Sequence, residues 1–191
     1  MQALTLAGDR ARLRELLRTH SLLFGEFTLA SGRRSRFYFD SKRTTLLAEG
    51  AYLAAAEILE TIGAHRIEAD AIGGMTLGAD PIVCPVAALS HLLGKPLRAF
   101  LVRAEAKTHG TGRRIEGSLE RGCRVIVVDD VVTTGGSTLR AIEAVEQEGC
   151  RVVAVTCLVD REQGAAQNLG RWPFFPVFRR SEIFGDLAEG T

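Results

Sequence analysis

The sequence predicts an α/β fold in which helices flank a central, mainly parallel sheet, with a small N-terminal piece of helix and hairpin attached. Two observations point to it. Residues 124–128 and 151–158 are apolar runs without alternation, the pattern of strands buried on both faces. Residues 138–148, between them, carry apolar side chains at helical spacing, so the order is strand, helix, strand. At 191 residues the chain suits one domain, divided here into an N-terminal helix and hairpin (1–45), an α/β core (46–165) and a C-terminal segment (166–191).

The elements follow in order. Residues 4–23 place Leu6, Leu13, Leu16 and Leu17 at helical intervals among Arg and Glu, which predicts an amphipathic docking helix. Residues 26–40 hold two short runs, EFTL and RFYFD, on either side of ASGRRS, whose Ser-Gly pair is a turn signal, and so predict a hairpin. A helix over 48–62 ends at Gly63, and a short strand over 71–74 runs into the loop GGMTLGAD. Residues 81–93 predict a buried helix, 97–103 a strand, and 104–117 a long polar loop without apolar periodicity.

Composition excludes several classes of function. A formal net charge of +1 supplies no global field for nucleic acid or anionic membrane, so any basic site must be local. Apolar stretches fall short of the ~20 residues of a membrane-spanning helix, and the N-terminus, with Asp9, Arg10, Arg12, Arg14 and Glu15 scattered through it, shows no secretory signal. Cys84, Cys123, Cys150 and Cys157 have no metal-ligand spacing and are expected as reduced, structural thiols of a cytoplasmic protein.

The chemistry concentrates in residues 125–137, VIVVDDVVTTGGS. A buried strand ends in Asp129 and Asp130, crosses a Thr/Gly/Ser loop and enters a helix. Ligands of open α/β sheets bind beyond the carboxyl ends of strands, where this loop must lie. Its hydroxyls and unencumbered backbone N–H groups at a helix N-terminus suit a phosphate dianion. The two acids would repel that phosphate and fit sugar hydroxyls or a hydrated metal ion, so a sugar phosphate satisfies both ends. Read residue by residue, the same string is also a turn with a capped helix. Neither GxxxxGK[ST] nor a strand followed by GxGxxG is present, which disfavours a P-loop or dinucleotide site.

The whole string resembles the phosphoribosyl pyrophosphate (PRPP) signature of type I phosphoribosyltransferases, and implies that family's fold. By that resemblance Asp129 and Asp130 contact the ribose hydroxyls, and Val131, Val132, Thr133, Thr134, Gly135, Gly136 and Ser137 lie along the PRPP site, with Thr133–Ser137 cradling the 5′-phosphate. Residues 101–117, LVRAEAKTHGTGRRIEG, read as a mobile basic lid or a solvated surface loop, and resemble the catalytic loop of orotate phosphoribosyltransferases. The resemblance makes Arg103, Lys107 and His109 catalytic and PRPP-binding, and implies a homodimer whose lids reach across the interface.

Residues 24–40 resemble the same family's hood over the base, which makes Tyr38 and Phe39 an orotate pocket; from composition alone they read as aromatics packed into the core. Thr133 and Arg161 complete the expected orotate contacts, Arg161 because a guanidinium holds a carboxylate through two parallel hydrogen bonds. Taken alone, Arg161 reads as a surface residue. GGMTLGADP matches the family's pyrophosphate loop, where close backbone approach favours Gly73, Gly74 and Gly78.

Ala30, Gly78 and Ala104 stand where many members carry lysines, so no lysine role is carried to them, and Arg33, Arg34, Arg113 and Arg114 are candidate replacements. The implied reaction joins orotate to PRPP, giving orotidine 5′-monophosphate and pyrophosphate for pyrimidine synthesis. Mg²⁺ would be carried mainly by PRPP, with at most a water-mediated contact to Asp129 or Asp130 and no direct protein ligand. Transfer to a purine or uracil, or a non-catalytic regulator on the same fold, are the alternatives.

Overall fold

The computed structural model describes residues 8–28, 32, 34–105 and 114–185. Helix α1 (Arg10–Leu16) starts where Asp9 leaves helical geometry and its carboxylate accepts the Arg12 backbone N–H at 2.9 Å, satisfying a donor the helix cannot. One π-helical turn, Leu17–Ser21, leads into strand β1 (Leu22–Thr28). The helix therefore stops short of residue 23: Leu22 is already paired with Phe39 in the antiparallel hairpin with β2 (Arg34–Phe39). Along β2 the side chains alternate, Ser35, Phe37 and Phe39 inward and Arg34, Arg36 and Tyr38 outward.

After the short α2 (Lys42–Thr45) and the long α3 (Ala48–Ala64), the alternating core begins. It runs β3 (Ala71–Met75), α4 (Asp80–Leu92), β4 (Arg98–Val102), β5 (Ile115–Gly117), β6 (Arg124–Val132), α5 (Gly136–Gln147), β7 (Arg151–Asp160), α6 (Ala165–Asn168), β8 (Phe174–Arg179) and α7 (Arg180–Phe184). The sheet order is β5-β4-β3-β6-β7-β8, parallel throughout except for β5 against β4.

Period-2 geometry splits the strand side chains between two cores. Ile72, Ile126, Val128 and Leu158 join Leu53, Ile58, Ile82 and Val86 of α3 and α4 on one face, with α1 and the hairpin. Val125, Val127, Val155 and Cys157 meet Ile142 and Val145 of α5 on the other. Each such fully buried Val or Ile stabilises the fold by roughly 1.5–3 kcal/mol, which is why the apolar runs do not alternate.

Three further elements differ from the sequence expectation. The stretch read as a loop over 104–117 contains β5, where Ile115 pairs with Val102; one buried apolar residue is too little to show a period. Strand β6 continues past residue 128, because Asp129 and Val132 stay in register with Cys157 and Asp160 although two residues are acidic. The stretch 166–191 supplies a strand of the main sheet: Pro176 broke the strand pattern, and β8 tolerates it as an edge strand. All four cysteines are free thiols, three of them buried. Among the described residues no helix is long and apolar enough to cross a membrane.

Candidate active site

Successive connections leave β3 towards β4 and β6 towards β7, in opposite directions along the sheet. The two adjacent strands therefore open a crevice at their carboxyl ends, the switch point where such sheets bind ligands. The loop after β3 and the loop after β6 form its walls. The first packs on the end of β6: a methyl group on Gly78 would lie 2.5 Å from Asp130 Oδ1 and 2.7 Å from Asp129 Oδ1, so only a residue without a side chain fits.

Asp129 and Asp130 are both buried. Asp129 Oδ1 accepts the Asp130 backbone N–H at 3.0 Å, and Asp130 Oδ1 accepts that of Val131 at 2.9 Å. Thr138 Oγ1 lies 3.5 Å from Asp129 Oδ2. Burial first, and then the neighbouring Asp130, push the Asp129 carboxyl well above the usual carboxylate range. Two acids placed this way call for hydroxyl donors or a cation.

Beyond them, Thr133, Thr134, Gly136 and Ser137 are exposed and lead into α5. Gly135 takes left-handed geometry, φ 87°, which a side chain would strain. No described side chain caps α5, so its first backbone N–H groups face the loop. Asn168 Nδ2 donates to Thr134 O at 2.8 Å and holds the loop from behind.

Arg161 follows β7, its backbone N–H donating to Val132 O at 2.8 Å, which sets it beside the Thr133 loop. Its guanidinium lies 4.7 Å from the centroid of Phe184. Burial, and then the charge of Arg180, lower its pKa to about 10. The negative charge of a bound carboxylate would oppose this shift. Arg103 sits where β4 ends, its Nη1 3.4 Å from Glu116 Oε1 and its N–H bonded to Arg114 O, at the root of the expected lid. Lys107, His109 and Arg113 lie outside the described residues, as do Ala30 and Arg33.

The two hood aromatics separate. Tyr38 is exposed, whereas Phe39 is buried edge-on against Phe184, ring centroids 5.0 Å apart. Consecutive strand residues face opposite sides, so the pair does not line one surface; Phe39 instead supports the ring on which Arg161 rests.

The structure also brings in residues that the sequence reading did not name. Ser41 donates a short hydrogen bond to Asp130 Oδ2. Lys42 Nζ lies 2.9 Å from Asp40 Oδ1 and 3.5 Å from Asp130 Oδ2. Burial pulls the Lys42 pKa down, but the hydrogen bond to Asp40 and the charges of Asp130 and Asp40 outweigh it, and the net shift is upward. A shortage of lysines elsewhere in the site was the available signal for Lys42. Asn168 and Phe184 gave none. A cavity of about 820 Å³ at the opposite end of the sheet, lined by Arg66, Lys95 and Arg124 over an apolar floor, contains none of the expected site residues.

Residues 83–173 match the family model described as phosphoribosyl transferase domain. Over 183 residues the chain is 41% identical to the orotate phosphoribosyltransferase of Rhodopseudomonas palustris strain TIE-1, covering 93% of this chain and 97% of the relative. Orotate phosphoribosyltransferase of Mycobacterium tuberculosis H37Rv, solved with Fe(III) dicitrate, superposes with a TM-score of 0.82 at 39% identity, covering 92% of this chain and 98% of that one. The same Mycobacterium protein solved with PRPP gives 0.77 at 36% identity, covering 91% and 98%.

Proposed function

The chain belongs to the orotate phosphoribosyltransferase family, and from that membership we propose that it transfers the ribose 5-phosphate group of PRPP to orotate in pyrimidine synthesis. One observation carries the reading from the geometry side: two buried carboxylates run directly into an uncapped helix N-terminus at the sheet's switch point. The α5 loop, residues 133–137, takes the 5′-phosphate through backbone N–H groups and hydroxyls. Asp129 and Asp130 take the ribose hydroxyls, and the glycine-bearing loop around Gly78 takes the pyrophosphate.

Orotate enters beneath the hood. Arg161, fixed by Phe184 and by its backbone bond to Val132, grips the base's carboxylate, with Tyr38 and Thr133 beside the ring and Phe39 behind Phe184. A ring nitrogen of orotate then forms a bond to C1 of the ribose as the bond from C1 to pyrophosphate breaks. The proton on that nitrogen passes to solvent, and because the nitrogen is already acidic no strong protein base is required. Positive charge builds on the sugar ring and negative charge on the leaving pyrophosphate. Arg103, Lys107 and His109 answer the second with cationic hydrogen bonds, and the lid excludes water from the first.

Mg²⁺ fits this site as a substrate-borne ion. Two adjacent buried carboxylates, one held above its ordinary range first by burial and then by its neighbour, favour a nearby divalent cation. Asp129 or Asp130 would hold it through water, and when bound it neutralises charge on the pyrophosphate. The working unit in this reading is a cytoplasmic homodimer with shared lids.

Pyrophosphate release from PRPP with Mg²⁺, assayed against orotate, uracil, adenine, hypoxanthine and xanthine, tests the proposal. Turnover is expected with orotate. Turnover with a purine or uracil and none with orotate would overturn it.

A further inference from the structure

Strand β2 and α2 place two kinds of residue within five positions. Tyr38 belongs to the base hood, while Ser41 and Lys42 reach the acid pair of the donor site. Both contacts converge on one atom, Asp130 Oδ2, which receives the Ser41 hydroxyl and faces the Lys42 ammonium at 3.5 Å. The other carboxylate oxygen, Oδ1, is occupied by the Val131 N–H and packed against Gly78. Asp130 is thus fixed from three chain segments.

Lys42 is itself held. Asp40 Oδ1 accepts both its ammonium, at 2.9 Å, and its backbone N–H, at 3.2 Å. Its side chain keeps 39% exposure, against 11% for that of Asp130, so the ammonium stands between solvent and the buried acid. A cation at this point offsets negative charge on the acid pair, a role that Ala30, Gly78 and Ala104 cannot fill.

We propose that Lys42 is a positioning residue of the donor site: it latches the end of the hood to Asp130 and holds that carboxylate in the orientation that accepts the ribose hydroxyls of a sugar phosphate. This rests on the reading of PRPP as the donor. Because Lys42 acts through Asp130, its loss should weaken donor binding rather than the chemical step or the grip on the base.

The test compares the full-length protein with Lys42→Ala, Lys42→Gln and Lys42→Arg. Calorimetry with PRPP and Mg²⁺, without orotate, measures donor binding, and steady-state kinetics give kcat and both KM values. Lys42→Ala and Lys42→Gln are expected to lose about tenfold in PRPP affinity and KM, the scale of a charge-assisted contact, with kcat and the orotate KM within about threefold. Lys42→Arg should recover most of the loss. Unliganded thermal midpoints should stay close to the parent's, since half-exposed ion pairs add little stability. Unchanged PRPP binding in both neutral variants, equal weakening of orotate, or no recovery in Lys42→Arg would overturn the proposal. A parent protein that binds no PRPP would refute the donor reading itself, a separate failure.

Discussion

The donor loop after β6 and the hood built from β1 and β2 stand on the same crevice but are held by different forces. Asp129 and Asp130 lie near the end of β6, which pairs with β3 at Val125–Val127 and with β7 as far as Val132, and the loop that follows is backed by Asn168 and by the start of α5. The hood is a two-stranded hairpin outside the main sheet, with Phe37 and Phe39 packed inward on Phe184 and Tyr38 left outside. An isolated hairpin is marginal, so its position depends chiefly on that aromatic contact. Rigid placement suits the proposed phosphate site, and a less firmly anchored wall suits the proposed base site.

The largest effect should come from the proposed lid, which belongs to neither region. Lys107→Ala is expected to lower kcat by about 100-fold, with the PRPP KM changed by less than about threefold, because its charge matters most when pyrophosphate departs. A barely altered kcat would remove the lid from the mechanism.

Within the donor region, function and stability should oppose one another. The folded protein holds the Asp129 carboxyl above its unfolded value, so ionising it opposes folding. That penalty is absent below about pH 4 and grows as pH rises toward the folded value. Asp129→Asn is therefore expected to stabilise the unliganded protein by on the order of 1–2 kcal/mol near pH ~9 and to give no gain near pH ~4, while PRPP turnover falls. Denaturant unfolding at the two pH values checks the sign; lost stability at the higher pH would contradict the burial argument.

A smaller effect tests the backing of the loop. Asn168→Ala removes the donor to Thr134 O and should cost about 1 kcal/mol. The PRPP KM should rise by about two- to fivefold with the orotate KM unmoved. A change confined to orotate would show that the two regions are not separable in this way.

The contrast also sets what could be read from the sequence. Residues 124–137 were legible because a doubly buried strand, paired acids and a glycine-bearing helix start each leave a local signature. Even there the strand was cut at residue 128, since hydropathy drops at Asp129 while backbone pairing continues to Val132. The hood's function was not legible from pattern, because an aromatic hairpin that packs into a core and one that lines a pocket look alike in sequence. Strand alternation then divided Tyr38 from Phe39. Strand β8 and Phe184 were missed because a proline interrupts the run and because Phe184 matters only through rings distant in sequence. Lys42 was missed for a related reason: its partner Asp130 lies 88 positions away, and nothing local records the pairing.

The central claim is that the donor is bound by the β6 loop while the base is chosen by residues remote from it, chiefly Arg161. Steady-state kinetics of Arg161→Ala test it most directly. The orotate KM is expected to rise by about ten- to hundredfold, the value of a charge-assisted contact to a carboxylate, with the PRPP KM within about threefold of the parent. A PRPP KM that rises in parallel, or an orotate KM that does not move, would contradict the division.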